Sequence, residues 1–158
     1  ENDLQHFNAV FQSKGLSLCC LGKAKNRQLL YVYRSSLLAQ DLADSLAQQL
    51  LKQLDYPLGD VSACLNFLTQ RLRKVHDFPH EIGLFLGYPA EDVRGYLLHA
   101  GAGAKLCGYW KVYGDVRAAL RTFQAYDVSV QSFFLMAGHG VPLEQLLSLC
   151  PRRESSVA

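Results

Sequence analysis

The sequence predicts an α+β fold: a small, mostly antiparallel sheet of three strands, at about residues 15–21, 28–33 and 105–113, packed against five to seven helices. Three observations point there. Apolar residues recur at helical spacing through much of the chain. Two runs rich in strand-formers flank the polar turn GKAKNR, and a third aromatic, β-branched run, LCGYWKVYG, lies between two helical stretches. With 49% apolar and 19% charged residues, the 158 residues read as a single domain over 1–158, with a polar tail at 151–158. A chain of this length buries roughly two thirds of its unfolded surface. It needs no metal or disulfide to fold, so a metal would serve function.

Residues 3–12 set Leu4, Phe7, Val10 and Phe11 on one helical face behind a capping Asp3. The runs 15–21 and 28–33 then form a hairpin, with Gly22 and Asn26 suited to its turn. From Ser35, SSLLAQDLADSLAQQLLKQL contains no Gly or Pro and repeats Leu38, Leu42, Leu46 and Leu50, which predicts one continuous helix under a serine cap. YPLG at 56–59 stops it. Asp60 opens another helix with the stripe Val61, Cys64, Leu65, Leu68 and Leu72.

Pro79 suits the first position of a short helix ending near Gly87, and Pro89 starts the next, which carries Glu91 and Asp92 in its first turn and ends at Gly101. Asp115 caps a long helix running past Tyr126, with Val116, Ala119, Leu120 and Phe123 on its apolar face. A short helix follows Pro142.

The net charge of +2 implies no nucleic-acid partner, and Arg71, Arg73 and Lys74 suit the end of a helix. The five cysteines, Cys19, Cys20, Cys64, Cys107 and Cys150, are odd in number and lack a Cys-x-x-Cys pair, which fits reduced thiols in the cytoplasm. The start ENDLQHF and the absence of a long apolar run predict neither export nor a membrane partner.

The strings FPHEIGLFLGYPAEDVRG (78–95) and CGYWKVYGD (107–115), with LLYVYRSSLLAQDL (29–42) upstream, resemble an uncharacterised bacterial family, a domain of unknown function. The resemblance covers about residues 29–126. It implies small cytoplasmic proteins and carries no activity. Members of that family tend to have a Cys-Ala-Pro stretch near the N-terminus, where this chain has HFNAVFQSKG and no cysteine before Cys19.

Within the first string, His80, Gly83 and Gly87 fall at i, i+3 and i+7, so a helix there would carry a track without side chains and an imidazole at its start. Each glycine costs a helix up to about 1 kcal/mol relative to alanine. Such a cost implies close approach, either by a packed neighbour such as the strand bearing Trp110 or by a flat ligand. Glu81 lies about 100° from His80 on a helix and needs its own partner, such as neighbouring amides.

On the third strand Cys107, Tyr109, Lys111 and Tyr113 share one face, and Trp110 and Val112 the other. The first face is either solvated or lines a pocket in which Lys111 holds an anionic group. Arg34, just before the Ser35–Ser36 helix start, suits a phosphate or carboxylate, or a salt bridge to an acid such as Asp92. Cys107 and His80 are the candidates for catalysis. The five histidines form no His-x-x-x-His in one helix, so no metal site is predicted; GAGAK at 101–105 lacks the context of a phosphate loop. Neither haem nor flavin has a motif here.

These features predict a ligand-binding domain with its pocket between helix 79–87 and strand 105–113, contacted by Arg34, His80, Glu81, Gly83, Gly87, Tyr88, Lys111 and Tyr113. The alternatives are a module for a protein partner or homodimer, and an enzyme using Cys107 or His80.

Overall fold

The computed structural model describes residues 2–24, 27–74 and 78–147; the side chains of Leu4 and Phe7, and residues His76 and Cys150, lie outside what is described. Helix α1 (Asn2–Ser13) leads into the antiparallel hairpin β1 (Ser17–Ala24) and β2 (Arg27–Tyr33). A bulge between Cys20 and Gly22 breaks the alternation, and Leu21, left out of the pairing, is buried.

The helix expected without interruption from Ser35 is two helices, α2 (Ser35–Ala43) and α3 (Ser45–Gln53). Asp44 separates them. Its backbone is extended (φ −55°, ψ 137°) and its Oδ1 accepts the N–H groups of Leu46 and Ala47 at 2.9 Å. An aspartate cap contributes about 1 kcal/mol, which offsets the lost helical continuity and turns α3 back onto the core. The serine cap expected for α2 is not formed; Arg34 stands at the cap position, and the Ser35 hydroxyl meets that of Ser17 at 3.0 Å.

Helix α4 (Val61–Lys74) buries Cys64, Leu65 and Leu68. Then come the single turn α5 (Ile82–Phe85), α6 (Ala90–His99), the strands β3 (Leu106–Cys107) and β4 (Lys111–Val112), α7 (Val116–Gly138) and the single turn α8 (Leu143–Leu146).

The single sheet of three strands is not formed. Residues 105–113 fold back on themselves, so β3 and β4 make a second antiparallel hairpin, separate from β1–β2. The reason is side-chain burial around the reversal at Gly108 and Tyr109. Trp110 and Val112 point into a small core with Ala119 and Phe123 of α7, and a Cβ at Gly108 would lie 2.2 Å from the Phe123 ring. Only a residue without a side chain lets that turn approach the helix so closely.

Two cores result. The larger joins Leu21 and Tyr31 of the first hairpin to Leu51, Leu68, Phe85 and Val93. The smaller joins the second hairpin to α7. Leu51 and Leu68 are fully buried, each contributing roughly 2 kcal/mol of apolar transfer. Tyr88, between α5 and α6, packs against both cores.

Candidate functional site

A glycine track does not run along residues 80–87. Helix α5 is one turn, His80 precedes it, and Gly87 lies beyond it with φ +72°, a left-handed conformation that ends the turn rather than extending a face. Gly83 is a place of close approach, but its neighbours are intramolecular: a Cβ there would stand 2.9 Å from Val93 Cγ2 and 3.0 Å from Tyr88 Cδ2. Close packing by the next helix therefore accounts for Gly83.

Two polar contacts hold this turn in place. The Tyr31 hydroxyl donates to the Phe85 carbonyl, and Glu81, 1% exposed, accepts the Tyr56 hydroxyl at 3.0 Å. Arg71 Nε lies 2.5 Å from the same Glu81 oxygen without an aligned N–H, so that contact is an ion pair rather than a directed hydrogen bond. Glu81 belongs to this buried group and caps no amides. Burial, then the Glu81 charge, raises the Tyr56 hydroxyl well above its ordinary range.

A second buried carboxylate joins α6 to the hairpin. Asp92, 3% exposed, accepts the Trp110 indole N–H at 2.8 Å through Oδ2 and the Tyr113 and Gly114 amides at 2.7 Å through Oδ1. Its position in the first turn of α6 is visible in the sequence, but its partners lie some twenty residues away. Arg34 forms no salt bridge to it, and its Nη1 donates instead to the Lys14 carbonyl at 3.0 Å.

Between α5, α6 and the β3–β4 hairpin, where the two cores meet, lies an open cleft of about 430 Å³. All its lining residues except Tyr96 fall within 78–95 and 107–115. One wall is the stacked pair Tyr88 and Trp110, centroids 4.8 Å apart and inclined by 26°. Another is His80 against Tyr96 at 4.6 Å, with Phe78 at the edge of the imidazole. Lys111 Nζ donates to the Gly101 carbonyl at 2.6 Å and lies 5.9 Å from the centre of the Tyr96 ring. Burial, and then Tyr126 beside it, raises the Tyr88 hydroxyl, which stays a neutral donor at neutral pH.

Of the sequence-predicted contacts, His80, Gly83, Tyr88 and Lys111 line this cleft, and so does Cys107, directly across the hairpin from Lys111. Arg34 and Gly87 line a separate depression of about 290 Å³ with Tyr31, Tyr33 and Asp41. Glu81 lies in the larger core. Tyr113 stacks on His99 with its ring over Gly95, and neither is in the cleft lining. Sequence reasoning missed Phe78, Leu86 and Tyr96; Gly87 and Pro89 signal the bend, but the local pattern does not say that it folds Tyr96 onto His80.

No hydrogen bond joins Cys107 to His80 among the described residues, and Cys107 is exposed. No three His, Cys, Asp or Glu side chains converge among those residues. None of the described helices is long and apolar enough to cross a membrane.

Residues 1–147 match the family described as protein of unknown function DUF3793. The chain belongs to that family. No curated protein and no solved structure matches the DUF3793 chain.

Proposed function

We propose that this DUF3793 protein binds a small organic molecule with a flat ring system in the cleft between α5, α6 and the β3–β4 hairpin. The observation that carries this reading is the cleft itself. Its volume of about 430 Å³ falls within the ordinary range of ligand sites, and aromatic rings form its walls with an imidazole and an ammonium among them. Open rings such as those of Phe78 and Tyr109 reward a planar molecule by stacking. The segments that carry the family resemblance supply nearly the whole lining, which supports a role beyond filling space.

Native mass spectrometry of the purified chain tests it. The expected spectrum contains a species heavier than the chain by one small molecule, lost on denaturation and depleted in Phe78→Ala, whose ring is exposed at the cleft. A bare-chain mass, with no shift of Tm across a panel of aromatic metabolites, would sink the reading.

A second reading, association with another copy of the chain, is favoured by α7. Ala119, Phe123, Tyr126, Val130, Phe133 and Ala137 repeat at alternating spacings of four and three, the pattern of a helix–helix seam. The first half of that seam packs on the hairpin, whereas Val130 and Phe133 are exposed and the adjacent Phe134 is 71% exposed. From 122 to 138 Asp127 is the sole charged residue, so this surface offers little to a charged partner and no like-charge barrier to itself.

A further inference from the structure

We infer that the ligand of the cleft is a planar organic anion whose acid group is held by Lys111. This rests on the cleft being a small-molecule site and adds the chemical class of its occupant.

Asp92 is the carboxylate in the cleft lining, and three donors from the hairpin occupy it: the Trp110 indole and the Tyr113 and Gly114 amides. At 3% exposure its oxygens are closed to a ligand cation. Glu81 is turned into the core toward Arg71 and Tyr56. Glu91, outside the cleft lining, lies against Gly114 and accepts the Asp115 amide at 3.4 Å. Asp127, outside the lining, accepts the Tyr109 hydroxyl at 2.8 Å. Among the described residues the one acid in the cleft lining is thus Asp92, and it is occupied.

Lys111 stands in the opposite condition. An ammonium has three N–H donors, and the contact to the Gly101 carbonyl uses one. That contact and the Tyr96 ring fix the ammonium beside the cleft while leaving donors for an acid group. A partly buried ammonium with one fixed partner is pre-organised for a carboxylate or sulfonate, because little side-chain freedom remains to be lost. The open rings beside it set the rest of the shape: the ligand body lies against Phe78, His80 and Tyr109, with its charged end toward Lys111.

The test compares 8-anilinonaphthalene-1-sulfonate with N-phenyl-1-naphthylamine, which has the same rings without the sulfonate. Trp110 is the one tryptophan of the chain, so energy transfer to the dye reports binding near it. Protection of Cys107 from iodoacetamide, read by peptide mass, locates the dye in the cleft. The sulfonate is expected to bind at least tenfold more tightly than the neutral dye and to protect Cys107. Lys111→Met should abolish that preference, and Lys111→Arg should retain it. If the neutral dye binds as tightly as the sulfonate and protects Cys107 equally, the anion inference is overturned while the cleft reading stands. If neither dye protects Cys107, the cleft reading falls and this inference with it.

Discussion

The Trp110 indole N–H donates to Asp92 Oδ2 at 2.8 Å, and this bond ties the second hairpin to the start of α6. Together with the Tyr113 and Gly114 amides on Oδ1, it makes one carboxylate of the cleft lining the fastener between α6 and the segment 110–114. Hydrogen bonds to a charged group contribute about 1.5–3 kcal/mol each, and removing their shared acceptor leaves three donors unmet. Asp92→Ala is therefore expected to cost about 3 kcal/mol or more in urea unfolding. It should also shift Trp110 emission to the red as the hairpin loosens. A loss under 1 kcal/mol with unchanged emission would show that Trp110 is held by packing alone.

The second buried carboxylate leads to a dependence on alkaline pH. Burial, then the Glu81 charge, raises the Tyr56 pKa in the folded state. The fold thus prefers the neutral phenol. This contribution is fully present below about pH 10, where an unfolded tyrosine is neutral too, and is lost as the pH climbs above that value. Tyr56→Phe is expected to cost about 1–2 kcal/mol at pH 8 by removing a donor from Glu81. Above pH 10 its unfolding free energy should fall less steeply than that of the parent. Denaturant titrations at pH 8, 10 and 11 measure both; parallel slopes for the two proteins would contradict the assignment.

Glycines separate helix propensity from packing with opposite signs. Gly95 lies within α6, where alanine is the better helix former by about 1 kcal/mol, yet a Cβ there would meet the Tyr113 ring at 2.3 Å. Gly138, at the end of α7, has nothing within 4 Å of the same atom. Gly95→Ala is expected to destabilise by about 2 kcal/mol, since overpacking typically costs that much. Gly138→Ala should be neutral or stabilising by up to about 1 kcal/mol. Thermal unfolding of both variants decides it, and a stabilised Gly95→Ala would mean that Tyr113 swings aside at little cost.

Such contacts mark the boundary of what local patterns disclose. The first hairpin, the stripe of α4 and the Asp115 cap of α7 were legible because each depends on residues a few positions apart. Asp44 was not, since ADSLAQQ reads as helix until the aspartate side chain takes two amides that a continuous helix would use otherwise. The β3–β4 hairpin reads as one strand in the sequence because its reversal depends on Phe123, fifteen residues beyond Gly108, having room to pack. At the candidate site, Gly83 marked close approach, but what approaches is Val93 and Tyr88 across the bend at Gly87. Asp92 looked like an ordinary first-turn acid because its three donors arrive from another part of the chain.

The exposed half of α7 yields the last prediction. Val130 and Phe133, with Phe134 beside them, continue a seam whose earlier residues are packed, and the second reading gives this exposed half to another copy of the chain. Phe134 is 71% exposed and Leu135 66%, so substitutions there disturb little within one chain and should change its stability by no more than about 0.5 kcal/mol. If a second copy covers this surface, the parent sediments as a dimer at micromolar concentration. Phe134→Glu then sets two carboxylates against an apolar seam and raises the dissociation constant at least tenfold, with an unchanged Tm for the isolated chain. Sedimentation equilibrium reads the dissociation constants, and thermal unfolding at low concentration reads the Tm. A parent that stays monomeric at 100 times that concentration (roughly 10⁻⁴ M, weaker than about 5.5 kcal/mol of association) leaves this surface to a different protein.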